Sequence, residues 1–187
     1  MRKLILIKHA RPQQVEGIPP EQWGLSEQGR EACKSLAELV RPHAPVAIAT
    51  STEPKAAETA RILGEVLGSR VEPTEDLHEH DRTGVPLMAT REFISLMALF
   101  FKQPSRLVLG NETADKMAGR FQRAIDGILG SHPDGNIATV SHGTVIAQFA
   151  ADHGAGDPFL LWRRMGLPSL IVFSVPDFHV TETVDRV

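Results

Sequence analysis

The sequence predicts a three-layer α/β/α sandwich around a mostly parallel central sheet. Three observations carry that expectation. Short apolar runs at residues 3–7, 45–49 and 137–140 have the composition of strands buried on both faces. Stretches with apolar residues at three- and four-residue spacing, the period of an amphipathic helix, lie between them. No repeat, low-complexity tract or Ser/Gly linker divides the 187 residues, so one domain over 1–187 is expected.

The elements follow in order. The run 3–7 ends abruptly at Lys8-His9-Ala10-Arg11-Pro12, and a loop continues through Gly17, Pro19 and Pro20 to Trp23-Gly24. Ser26 is placed to cap a helix that carries Ala32, Leu36, Leu39 and Val40 on one stripe and stops before Pro42. After the strand at 45–49 and a Thr50-Ser51-Thr52 loop, Pro54 suits the first turn of a second helix, which ends at Gly68. Val71 marks a third strand leading to Leu77-His78-Glu79-His80-Asp81-Arg82. Residues 83–88 read as loop and 89–102 as a strongly apolar helix, with Asn111 as the cap of another from Glu112 to about Leu129. The strand at 137–140 meets a Ser141-His142-Gly143 turn and a helix over 144–153. Two strands near 169–174 and 178–183 close the chain.

Composition removes several functions. Cys33 is the one cysteine and there is no tyrosine, which excludes internal disulfides, CxxC redox chemistry, thiolate zinc sites and tyrosyl nucleophiles; Cys33 is expected in the core. A net charge of −3 lacks the cationic footprint of a general nucleic-acid binder. No run approaches the ~20 apolar residues of a membrane span, and Arg2-Lys3 precede too short a run for a signal peptide, so a cytoplasmic protein is expected. Oligomeric state is not readable. The unusual count is histidine, at 8, of which His43, His132, His153 and His179 neighbour loop or helix-end signals and are expected at the surface.

Three of the strands end in polar residues: Lys8-His9, Thr50-Ser51 followed by Lys55, and Ser141-His142. If these strands are parallel neighbours, two histidines and two lysines converge beyond their carboxyl ends, where ligands of open α/β sheets bind. Glu79, in a loop able to fold over the same edge, adds a carboxylic acid. A nucleophile or base, fixed cations and an acid are the parts needed to move a phosphoryl group.

The same residues carry a family resemblance. Ile7-Lys8-His9-Ala10 stands where an Arg-His-Gly motif closes the first strand, and Leu25-Ser26-Glu27-Gln28-Gly29 is similar to Leu-Thr-x-x-Gly. Residues 51–60 resemble Ser-x-x-x-Arg-Ala-x-x-Thr-Ala, with Lys55 at the arginine, and Leu77-His78-Glu79 resembles an acidic Leu-x-Glu element. Gly110-Asn111-Glu112-Thr113 is similar to Gly-x-Glu-Thr, and Val140-Ser141-His142-Gly143 matches Val-Ser-His-Gly intact. In this order the landmarks resemble the histidine phosphatase superfamily, with its phosphoglycerate mutase-like fold.

The resemblance implies a metal- and cofactor-independent phosphatase. His9 would take the phosphoryl group, Glu79 would protonate the leaving oxygen and then assist water, and His142 would stabilise the phosphoryl oxygens. Lys8 and Lys55 occupy the places of two phosphate-clamping arginines, and Arg11 is near enough in sequence to add a cation. Pro12 and Val15 replace residues of the mutase branch, which disfavours a phosphoglycerate mutase. Lysine for arginine keeps the charge but loses the planar fork, so a weakly active or inactive binder of phosphorylated ligands is one alternative. The other is a metal-dependent hydrolase using His78 and His80, whose His-x-His spacing puts both rings on one side of an extended segment. Glu53 and Asp81 rival Glu79 as the acid. The substrate would be a phosphorylated small molecule or phosphoprotein, its specificity set by a variable, lid-like segment at about 80–112.

Overall fold

A computed structural model describes residues 1–187. Six strands form one sheet in the order β3-β2-β4-β1-β5-β6: β1 (Arg2–Lys8), β2 (Ala47–Thr50), β3 (Arg70–Pro73), β4 (Ile137–Ser141), β5 (Ser169–Val175) and β6 (Val180–Val184). The first four are mutually parallel, and β5 and β6 add as an antiparallel edge. Because successive side chains point to opposite faces, the apolar run of β1 feeds two cores. Leu4 and Leu6 pack with Phe100, Phe121 and Phe149 on one face, whereas Ile5 and Ile7 pack with Leu36, Ala60 and Leu63 on the other.

The helices α1 (Glu27–Val40) and α2 (Pro54–Leu67) cover the second face; α3 (Thr90–Lys102), α4 (Ala114–Ser131), α5 (Gly143–Asp152) and α6 (Pro158–Arg164) supply the first. The Ser26 side chain accepts from the Gly29 amide as expected of an N-cap, Pro54 opens α2, and Gly68 closes it in the left-handed region at φ 68°. Cys33 is fully buried. No helix is long and apolar enough to cross a membrane.

Two expectations are corrected, and one helix, α6, is additional to those expected. α4 starts two residues later than its motif suggested: Thr113 is the cap, accepting from the Lys116 amide, while the Asn111 amide donates to Asp81 Oδ1 and the Thr83 carbonyl. α6 carries no clean sequence signal, because its seven residues span barely two turns; Pro158 and the Asp157 cap are its only punctuation. His43 is buried, not at the surface: its carbonyl accepts from Asn136 Nδ2, and Lys3 Nζ lies 3.4 Å from its Nδ1. His132 and His153 are half-buried, and His179 is exposed.

Candidate active site

Sheet register brings the predicted strand ends together. β4 lies between β1 and β2, pairing Lys8 with Ser141 and Thr50 with Val140, so His9, Ser51 and His142 emerge side by side. The ladder continues one step beyond the strands, with the His9 amide on the Ser141 carbonyl at 3.0 Å and the Ser51 amide on the Val140 carbonyl at 2.9 Å. These residues border a cleft of about 740 Å³ whose lining includes Lys8, His9, Glu53, Lys55, residues 78–83 and His142. That size suits a small-molecule ligand.

The two imidazoles meet edge to face at 63°, with ring centroids 5.1 Å apart. His9 Nδ1 lies 2.7 Å from the Ala10 carbonyl, and a carbonyl can only accept, so the proton is on Nδ1 and Nε2 keeps its lone pair. Burial first, then the His142 ring and the Lys55 and Lys8 charges, hold the His9 pKa well below the ordinary histidine value. Ala10 departs from the motif glycine without strain, since its backbone lies outside the left-handed region and its amide donates to Thr59 Oγ1. His142 is fully buried at the N-cap of α5, with Nε2 2.9 Å from Ser51 Oγ and Nδ1 without any partner. Burial is the main cause that brings its pKa down to about 3; Glu79 opposes the shift, and Lys55 and Arg82 add to it.

Glu79 enters from the loop after β3. Its Oε1 accepts from the His80 amide and its Oε2 from the Thr144 amide in the first turn of α5, where the helix dipole favours an anion. Burial would raise its pKa, but the Arg82 guanidinium, His142 and those two amides outweigh that and bring it to about 2. The site therefore holds Glu79 as a carboxylate before substrate arrives.

The loop is held from behind. Arg120, nearly buried, donates to the carbonyls of Asp76, His78 and Glu79 and pairs with Glu112 at 2.6 Å. Glu112 also accepts from the Asp81 amide. Gly110 is at φ 71°, and a Cβ there would lie 2.1 Å from the Asp81 carbonyl oxygen, so only glycine fits. The Gly110-Asn111-Glu112 motif is thus a cradle for the segment that carries Glu79.

The predicted cations divide. Lys8 Nζ donates to the Met165 carbonyl at 2.9 Å and Lys55 Nζ to the Pro20 carbonyl at 2.9 Å, and both line the cleft. Burial lowers the Lys8 pKa, while Glu79 pulls it back up. Arg11 is exposed and not among the lining residues; its carbonyl receives the amide and hydroxyl of Ser26, which fastens α1 to the loop after His9. Glu53, a rival of Glu79 as the acid on sequence grounds, and Arg82, to which the sequence assigns no role, also line the cleft. Glu53 accepts from Lys55 at 2.5 Å and from the Glu79 amide at 2.9 Å. Arg82 lies over the Phe93 ring at 5.3 Å. Asp81 accepts from the Thr83 amide, a turn contact.

His78 and His80 do not form a metal centre. His80 is buried with its ring centroid 4.2 Å from that of Phe100, and its two nitrogens lie near the Glu112 carbonyl and Arg82 Nη1. No group of three or more His, Cys, Asp or Glu side chains is arranged to hold a metal ion.

A sequence model of the histidine phosphatase superfamily (branch 1) matches residues 4–179. The chain belongs to that superfamily. No curated protein matches it in sequence. Among solved structures of similar fold is a mycobacterial glucosyl-3-phosphoglycerate phosphatase bound to VO3, 21% identical, covering 100% of both chains with a TM-score of 0.79. A phosphoserine phosphatase from Entamoeba histolytica in complex with 3-phosphoglyceric acid is 16% identical, covering 98% of this chain and 97% of its own at 0.78. YhfR from Bacillus stearothermophilus is 22% identical, covering 97% and 96% at 0.75. At these identities the likeness is one of fold, and the sheet and helices described above are those of a histidine phosphatase.

Proposed function

We propose that the protein hydrolyses phosphomonoesters of small molecules through a phosphohistidine on His9. The observation that carries the reading is the neutral, Nδ1-protonated His9, whose free Nε2 lone pair stands beside His142 in a cleft that Lys8 and Lys55 also line. Nε2 attacks phosphorus; the N–P bond forms as the bond to the leaving oxygen breaks, and that oxygen takes a proton from Glu79. Water then attacks phosphorus, the N–P bond breaks, and Glu79 accepts the water proton. Lys8, Lys55 and the unpartnered Nδ1 of His142 stabilise the phosphoryl oxygens. Glu79 is ionised in the free site, so its proton must arrive with the substrate as the phosphate monoanion, whose second pKa is about 6. The similar folds include phosphatases of glucosyl-3-phosphoglycerate and phosphoserine, which agrees with this reaction class.

Hydrolysis of ethyl phosphate and p-nitrophenyl phosphate tests the reading. Both are expected to turn over in EDTA, with the alkyl ester losing rate above about pH 6–7 as its monoanion disappears. His9→Ala is expected to lower turnover at least ~1,000-fold; wild-type turnover in that variant would refute the assignment. The ion pair of Lys55 with Glu53 favours one second reading, a binder of phosphorylated ligands in which Lys55 is already neutralised. That reading predicts vanadate binding without turnover.

A further inference from the structure

We propose that Arg82 binds a second anionic group on the alcohol part of the substrate, so that the cleft selects phosphomonoesters carrying a carboxylate or a further phosphoryl group there. This rests on the phosphatase reading for the orientation of the substrate. Arg82 is the one arginine lining the cleft. Unlike Lys55, which is paired with Glu53 at 2.5 Å, it has no carboxylate within ion-pair distance.

The guanidinium is nonetheless held in place. Its Cζ lies over the Phe93 ring at 5.3 Å, and Phe93 is braced edge-on by Trp162 with centroids 5.9 Å apart. Its Nη1 lies 3.4 Å from His80 Nδ1. His80 Nε2 faces the Glu112 carbonyl at 3.3 Å and so carries the ring proton, which leaves Nδ1 to accept from Arg82. A charged fork fixed by an aromatic face and a ring nitrogen, with donors left over, is prepared for a bidentate anion.

Its location assigns which anion. In an in-line transfer the leaving oxygen departs opposite His9 Nε2, on the side of its proton donor. Arg82 follows Glu79 by three residues on that wall, whereas Lys8, Lys55 and His142 surround the transferred phosphoryl group from the strand ends. The apolar residues Val85, Met88 and Phe93 continue the same wall outward, so Arg82 supplies its one fixed cation.

Calorimetric binding of phosphoglycolate, ethanediol bisphosphate and ethyl phosphate to the full chain tests this without requiring turnover. The wild type is expected to prefer at least one of the two probes with an anionic tail over ethyl phosphate by about 10- to 100-fold. The stronger of the two identifies carboxylate or phosphate as the ligand. Arg82→Gln is expected to collapse that preference toward unity, and Arg82→Lys to restore part of it. The ratio stays readable even if a variant weakens every ligand. No preference in the wild type, its survival in Arg82→Gln, or an equal loss for ethyl phosphate would overturn the proposal. Absent hydrolysis of all three esters would instead count against the phosphatase reading.

Discussion

The strand-end wall of the cleft takes His9, Ser51 and His142 from the ends of three paired parallel strands, each 7% exposed or less. The facing wall, residues 74–89, contains no helix or strand and depends on Arg120, Glu112 and Gly110 for its shape. One wall is fixed by the same backbone ladder and apolar packing that fold the protein. The other has few ladder bonds of its own, and a single guanidinium satisfies three of its carbonyls. Chemistry that needs an invariant nucleophile sits on the first, and groups that set the acid and the leaving-group side sit on the second.

Arg120→Ala breaks this contrast most strongly. It leaves the half-buried Glu112 without its partner and the carbonyls of Asp76, His78 and Glu79 without that donor, at an expected cost of about 3 kcal/mol read by denaturant unfolding. Turnover should fall with it, because Glu79 loses its support; a variant of wild-type stability and turnover would show that the wall holds itself. Ser51→Ala probes the other wall. It removes the contact to His142 Nε2 while leaving the sheet intact, so kcat should drop about tenfold with the unfolding midpoint nearly unchanged.

The pH dependence of stability separates the walls further. His142 stays neutral in the fold down to about pH 3, whereas in the unfolded chain it takes up a proton near 6.5. Unfolding therefore binds a proton between those values, and stability falls as pH drops through 6.5 toward 3. Glu79, ionised in the fold down to about pH 2 and protonated near 4.5 when unfolded, adds the same sign of loss below 4.5. Thermal melts of Glu79→Gln should keep the first decline and lose part of the second.

The sequence was most legible where structure is local. The apolar run of β1 ending at Lys8-His9, the Ser26 cap and the Pro54 start of α2 each read directly, because strand burial, capping and proline geometry are properties of neighbouring residues. The convergence of His9 and His142 follows from the parallel pairing of β1 with β4. The facing wall was harder to read. Asn111 has the right residue type for a cap, yet its side chain is used 30 residues away on Asp81. Glu53 accepts from the Glu79 amide, 26 residues away, and the ionised state of Glu79 depends on both a helix terminus and Arg82. The Asn111–Asp81, Glu53–Glu79 and Glu79–Thr144 contacts join segments distant in sequence, so no periodicity or spacing announces them.

The central claim is a covalent bond between phosphorus and His9 Nε2. Mixing the protein with an aryl phosphate bearing a radioactive phosphoryl group, and stopping the reaction in alkaline denaturant within a single turnover, tests it most directly. The account predicts a protein-bound label that is stable to base, lost in acid, and absent from His9→Ala. Turnover without such a label, or a label that survives in His9→Ala, would contradict it.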